Sequence, residues 1–400
     1  MLASYRRVLA LPGALVFSAS ALVARLPISM VSLGIVVLVS TRTGSYGVAG
    51  AVSASYIIAN AVFAVPQGRL LDRLGQSRVL PPAVGVFAVG LAALMATVEL
   101  GLAAPWPHLC AVVSGAAMPQ IGSCVRARWS HVVADKADLQ TAFAVEAVAD
   151  ESVFMIGPTL VTFLATVVHP LAGLAAAMLA AVAGTGVLVS QRRTEPPAGG
   201  TSGVHRGRMP WWTLGPLTLS TVFLGVLFGG AEVATVAFAD EAGSTAVAGP
   251  MLAIWALGSL LSGMVTGAVR ITASNASRFR WGLLVLGVVM LPLPFVSGFV
   301  VLAVVLFLAG FAISPTMIAC IGWVQEVVPA ARITEGITIV TTGLASGLAP
   351  GAALVGQVVD ARGASAAYWL TAAAGLVGAA VAFLTAAVSR SVSSRGPAPT

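Results

Sequence analysis

Apolar residues run along this chain in long unbroken stretches. They show neither the alternation of a half-buried strand nor the single stripe of a surface helix. Twelve stretches reach membrane-crossing length, roughly 12–39, 48–67, 79–99, 107–127, 140–165, 169–190, 212–238, 246–268, 281–297, 299–322, 333–359 and 364–388. A helix needs about 20 mostly apolar residues to cross the hydrocarbon core of a bilayer. Backbone polar groups must be satisfied within the segment there, so each stretch is predicted to be a helix. The connections are mostly short, and consecutive helices are expected to be antiparallel neighbours. One longer polar stretch, 191–210, contains Gly199-Gly200-Thr201-Ser202-Gly203 and four arginines. It divides the chain into residues 1–190, a linker at 191–210, and residues 211–400. The expected fold class is an all-α membrane protein made of two pseudo-symmetric six-helix bundles.

Composition sharpens this picture. Of the 400 residues, 58% are hydrophobic and only 9% are charged, against about 25% charged in an ordinary soluble chain. So few charges cannot cover a soluble surface, which excludes an ordinary soluble enzyme and a disordered chain. The net charge of +7 would invite nucleic acid in a soluble protein. Sorted by position, the basic residues instead mark one face of a membrane. With the N-terminus inside, 18 of the 21 Lys and Arg fall at inner connections or chain ends, as the positive-inside rule requires. Arg42 and Arg362 lie outside, and Arg25 lies within the first span. Both chain ends are therefore expected in the cytoplasm, with the lipid bilayer as partner and no nucleic acid.

Arg6 and Arg7 precede the first apolar run, as in a signal peptide. That run far exceeds an h-region of about 7–15 residues, so it is read as an uncleaved helix. Cys110, Cys124 and Cys320 lack zinc-ligand or redox spacing, and their odd number argues against a disulfide framework. Neither an H-E-x-x-H motif nor a G-x-x-x-x-G-K-[ST] phosphate loop occurs. No metal, cofactor, ATP dependence or enzyme activity is expected. The strong preference for Arg over Lys, with many Ala and Gly, fits a GC-rich bacterial genome and hence a bacterial plasma membrane.

Internal echoes support two halves. Gly50 and Gly68 recur as Gly249 and Gly267, 199 residues on, and Pro119, Cys124 and Lys136 as Pro315, Cys320 and Arg332, 196 residues on. After the second span the chain reads Gly68-Arg69-Leu70-Leu71-Asp72-Arg73-Leu74-Gly75-Gln76-Ser77-Arg78. This resembles the G-x-x-x-D-R-x-G-x-x-R loop of the major facilitator superfamily, with Gly68, Asp72, Arg73, Gly75 and Arg78 matching. The resemblance covers the whole chain and implies a monomeric transporter whose inner gate contains this loop. Gly68 would allow close helix approach, Asp72 would accept from helix N-termini or pair with Arg, and Gly75 would permit the turn. The equivalent stretch, Gly263 to Arg270, lacks the Asp. The fifth span carries Gly157-Pro158, the dipeptide that ends a longer signature in drug/proton antiporters of the superfamily. Two readings stay open there, an antiporter marker or small-residue packing; Gly343, Gly347, Pro350, Gly351 and Gly356 repeat the theme in the eleventh span.

Ionisable groups inside a membrane are costly and are functional candidates by default. Arg25 in the first span and Glu232 in the seventh occupy equivalent places, and the resemblance implies that both spans line a central cavity. Glu232 is expected to carry a proton or hold a cationic substrate, with Arg25 tuning it or binding an anionic group; a static ion pair is the alternative. Glu146, Asp150 and Glu151 lie in the fifth span. Glu146 and Asp150 are four apart on one face, so their mutual repulsion would favour proton uptake, with Arg126 and Arg128 close by. A structural gate network is the competing reading. Tyr56, Asn60, Gln120 and Gln357 are uncharged cavity candidates, or equally interhelical hydrogen-bonding groups. The expected function is secondary transport of a small molecule, most simply proton-coupled export of a drug-like compound or metabolite. Proton-coupled uptake of a sugar or other metabolite is the alternative.

Overall fold

A computed structural model describes residues 2–44, 46–198, 207–244, 247–269 and 271–393. Arg206, Arg270, Arg395 and the glycine-rich centre of the linker, 199–203, fall outside the described residues. A short helix α1 (Leu2–Leu9) precedes α2 (Ala14–Thr43), separated from it by a turn at Gly13 with φ 81°. There follow α3 (Tyr46–Leu74), α4 (Gln76–Glu99), α5 (Trp106–Ala117), α6 (Ile121–Val132), α7 (Lys136–Phe163) and α8 (Ala172–Ser190). Beyond the linker come α9 (Trp211–Glu241), α10 (Ala248–Ala268), α11 (Asn275–Met290), α12 (Phe299–Val327) and α13 (Ile333–Ser393).

Among the described residues, ten helices are long and apolar enough to cross a membrane, α5 and α6 counting as one. The helix α7 has the length, but its three central acids lower its hydropathy and it is not among the ten. The helix α13 counts once although it turns a corner: Gly363, at φ 81° and ψ 170°, breaks it where the sequence predicts a boundary. Glu241 at the end of α9 accepts from the freed Ala364 N–H at 2.7 Å, so the corner is capped.

One predicted span differs from the expectation. The stretch 107–127 is not one continuous helix, because α5 stops at Ala117 and α6 restarts at Ile121. Pro119 lacks an N–H and crowds the preceding turn. The equivalent Pro315 leaves α12 unbroken.

Within the first group of helices α2 packs on α8 and α3 on α5; in the second, α9 packs on α13 and α10 on α12. Lipid tails are as apolar as leucine, so helix association relies on close van der Waals contact between small residues. A Cβ on Gly115 of α5 would overlap the Tyr56 carbonyl oxygen of α3, and one on Gly310 of α12 would overlap the Trp255 carbonyl oxygen of α10. The two glycines are 195 residues apart and the two carbonyls 199, so the repeat is present as a repeated helix contact. Outward faces carry exposed Val89, Leu179 and Val300, the apolar surface that a bilayer covers.

Candidate functional site

Glu146 and Asp150 stand one turn apart on α7, with Arg25 of α2 between them. The Arg25 guanidinium donates to Glu146 Oε2 at 2.5 Å and Asp150 Oδ1 at 2.6 Å. Its Nε donates to the Ala21 carbonyl at 3.2 Å. Glu146 is fully buried, and its other oxygen accepts from Ser18 Oγ and Trp129 Nε1, each at 2.7 Å. The second Asp150 oxygen accepts from Arg126 of α6 at 2.5 Å. Two guanidinium groups thus balance two carboxylates in a region that water barely reaches. Such a cluster holds together because each charge is both paired and hydrogen-bonded. The Asp150 side chain remains 34% exposed, so the cluster has one accessible end.

This placement revises the expected pairings. Repulsion between Glu146 and Asp150 is offset by the intervening Arg25. Arg126 reaches Asp150, not Glu146, while Arg128 turns away to Gln76, Thr194 and the Gln191 carbonyl. Arg25 and Glu232 are not brought together. Glu232 is exposed and has no hydrogen-bond or ion-pair partner among the described residues. Glu151 crosses between the helix groups, accepting from Ser259 Oγ of α10 at 2.6 Å; Ser259 in turn meets Ser314 of α12 at 2.9 Å.

The break between α5 and α6 gathers another polar set. Gln120 donates its side-chain amide to Asn60 at 3.0 Å and its backbone N–H to Gln67 at 2.8 Å. Unwound backbone at membrane depth is tolerated where neighbouring groups satisfy it, and α3 supplies them. Tyr56 is buried against α5 and Gln357 is exposed without a hydrogen-bond partner among the described residues, so neither joins this set. Gly157 packs on α2, where a Cβ would overlap Ser29 Oγ; Pro158 lies within α7 beside it.

A second constellation closes the end of the bundle that carries the linker. The Asp72 carboxylate accepts from the backbone N–H groups of Thr334 and Glu335, at 3.1 and 2.7 Å. It therefore caps the N-terminus of α13 from the other helix group, satisfying orphan donors and facing the positive end of the helix dipole. Glu335 binds Arg69 at 2.7 Å and Arg332 at 2.8 Å. Gly68 makes room: a Cβ there would lie 3.3 Å from Glu335 Cα. Gly75 turns the chain at φ 88°, while Arg73 and Arg78 are exposed and unpartnered among the described residues. Across the seam, Thr141 and Gln140 of α7 donate to the Gly267 and Thr266 carbonyls that end α10, at 2.6 and 3.0 Å. Tyr5 of α1 donates to the Met264 carbonyl at 2.7 Å, while Arg7 pairs with Asp138 of α7 at 2.6 Å. Burial pushes the Tyr5 phenol up to about 12. A cavity of about 1230 Å³ also opens at this end, with Lys136, Gln140, Arg278 and Gln325 among its walls; it is separate from the Arg25 cluster.

Sequence reasoning missed Trp129, Ser18, Ser259, Arg69 and Tyr5. Ser, Trp and Tyr are common in membrane helices, and nothing in their spacing marked them. Arg69 occupies a variable place in the loop motif.

Removing the Asp72 cap tests the seam. A lost cap costs about 1 kcal/mol, so Asp72→Ala is expected to open this end several-fold more often. Cys124 is fully buried beside the seam, next to Ser123, which accepts from Thr338 at 2.8 Å. Its alkylation, followed by mass spectrometry, should accelerate correspondingly. Unchanged protection of Cys124 would show that the cap does not hold the seam.

Membrane-length helices in two packed groups, with a polar seam between them and a buried ionic cluster, are the build of a multi-pass membrane protein. The chain belongs to the Major Facilitator Superfamily, whose family model matches residues 17–270. Its fold is similar to that of a bacterial homologue of the iron transporter ferroportin in the outward-facing state, with a TM-score of 0.74 and 15% identity over 93% of this chain and 98% of that one. The human organic anion transporter MFSD10 (TETRAN) gives 0.73 and 15% over 92% and 98%. The E. coli fucose:proton symporter FucP gives 0.69 and 12% over 94% and 98%. No curated protein sequence matches the chain.

Proposed function

We propose that this transporter is proton-coupled and works by alternating access, exporting a drug-like compound or metabolite in exchange for protons across a bacterial plasma membrane. In this reading residues 1–190 and 211–400 form two six-span bundles joined by the linker 191–210. Both chain ends and the linker face the cytoplasm, so the cytoplasmic side is the closed one. The observation that carries the proposal is the state of the three acids on α7. Glu146 is neutralised and buried, Asp150 is neutralised but reachable, and Glu151 is held by a single hydroxyl of the opposite helix group. A carboxylate accepts more strongly than a carboxylic acid. Protonating Glu151 therefore weakens its bond to Ser259 and loosens α7 from α10. Proton occupancy and the relation of the two bundles are coupled through that bond. Glu232, unpaired on the other bundle, is the second proton or substrate group.

The test is solute-dependent proton flux into proteoliposomes under an imposed pH gradient, with a compound library supplied as solutes. The parent protein is expected to move protons with at least one solute. Asp150→Asn, Glu151→Gln and Glu232→Gln are each expected to reduce that coupled flux. Full gradient-driven transport in all three variants would overturn the proton role of these groups.

A further inference from the structure

The charges along the membrane-length helices do not cancel evenly. Arg25 and Arg126 are both consumed by Glu146 and Asp150. Glu151 and Glu232 remain, one on each helix group, and no described Lys or Arg pairs with either. Two side-chain contacts and two single helical turns lie between these acids. Glu151 accepts from Ser259, and Trp255 stands one turn before Ser259 on the same face of α10. The Trp255 indole meets the Phe228 ring of α9 edge-on, with centroids 5.6 Å apart. Glu232 follows Phe228 by one helical turn. Trp255 is 9% exposed, yet its indole N–H has no acceptor among the described residues. A buried donor without a partner costs free energy until something accepts from it.

Carboxylates flanking aromatic faces attract organic cations, since the ring quadrupole and the formal charge act in the same direction. A metal ion would need further oxygen or nitrogen ligands, and among the described residues no group of three His, Cys, Asp or Glu is placed to hold one. We propose that the site formed by Glu232, Trp255 and Phe228 binds an organic ammonium ion that also carries a hydrogen-bond acceptor. Glu232 is its counter-ion, Trp255 and Phe228 form its aromatic wall, and the Trp255 N–H donates to its acceptor. The inference rests on the transport reading above and names the substrate class of that site.

Two probes separate the parts of the proposal. Benzoylcholine is an aromatic quaternary ammonium ion with an ester carbonyl; 4-phenylbutyltrimethylammonium has a similar length and charge without that acceptor. Binding to the purified full chain in nanodiscs is followed by calorimetry at pH 8, with benzoate and glucose as anionic and neutral controls. Both cations are expected to bind, benzoylcholine more tightly. Glu232→Gln should weaken both by about tenfold, the scale of one desolvated charge contact. Trp255→Phe keeps a ring but removes the N–H, so it should erase the preference for benzoylcholine while Glu232 still holds both probes. Thermal unfolding of each variant checks that it is folded. The inference is overturned if neither cation binds up to about 1 mM, the weak end of specific binding. It is equally overturned if Glu232→Gln leaves cation affinity unchanged or if benzoate binds in preference. Proton-coupled flux of a non-cationic solute would sink the cation inference and leave the transport reading intact. Cation binding without any proton flux would do the reverse.

Discussion

Replacing Arg25 with alanine is expected to remove most of the folded protein from the membrane. Arg25 is 1% exposed and Glu146 fully buried, so the substitution leaves one carboxylate without its counter-ion where water cannot compensate. Breaking a buried pair in this way costs about 3–5 kcal/mol, a large part of the 5–15 kcal/mol that typically stabilises a folded protein. Arg25→Lys should recover only part of the loss, because an ammonium group lacks the planar fork that reaches two carboxylates at once. A triple variant, Arg25→Met with Glu146→Gln and Asp150→Asn, removes all three charges and should restore yield but not transport. Monodisperse protein recovered by fluorescence-detected size-exclusion chromatography measures each step. If Arg25→Ala gave parental yield and thermal stability, the cluster would have to be a hydrated chamber and not a buried network.

Valine at Gly347 is expected to be nearly as damaging. The helices α9 and α13 meet through four glycines that approach the opposite backbone reciprocally. A Cβ on Gly225 or Gly229 would overlap the Leu344 or Leu348 carbonyl; one on Gly347 or Gly351 would overlap the Val222 or Val226 carbonyl. Carbonyl oxygens in a helix cannot rotate aside as a side chain can, so the helices must separate. Overpacking of a tight contact costs typically 1–3 kcal/mol, and here the loss spreads along the whole contact. Gly356, on the same helix, has nothing within 4 Å of an added Cβ and serves as the control. Gly347→Val should lower the thermal midpoint and yield sharply, while Gly356→Ala should behave as the parent. Equal behaviour of the two variants would refute the close-contact account.

The sequence made the membrane helices and the family legible because both rest on local signals. Apolar length marks a span, and Asp72 with its flanking glycines marks the loop. The seam between helix groups was legible only in outline. Asp72 was expected to meet a helix N-terminus, and it does, but that this is the first turn of α13 depends on packing across 262 residues of chain. The ionic cluster was half visible. Glu146 and Asp150 share a face by spacing alone, yet their partner lies 121 to 125 residues away, and the symmetry argument directed Arg25 towards Glu232 instead. Symmetry relates positions, while charge pairing follows proximity, and the nearest acids belonged to the same helix group. The glycines of α13 left two readings open; close packing on α9 accounts for three of them, Gly343, Gly347 and Gly351.

The interruption between α5 and α6 has a mechanical consequence. The equivalent α12 is a single stiff lever, so tilting one end of it must swing the other. On the opposite side, the non-helical Met118-Pro119-Gln120 offers a place to bend, tethered to α3 through Gln120. The segment carrying Arg126 can pivot with the Asp150 cluster while α5 stays seated against α3 through Gly115. A hinge point is thus available in one helix group and not at the equivalent place in the other, so if the two groups move against each other as proposed, they are expected to contribute unequally.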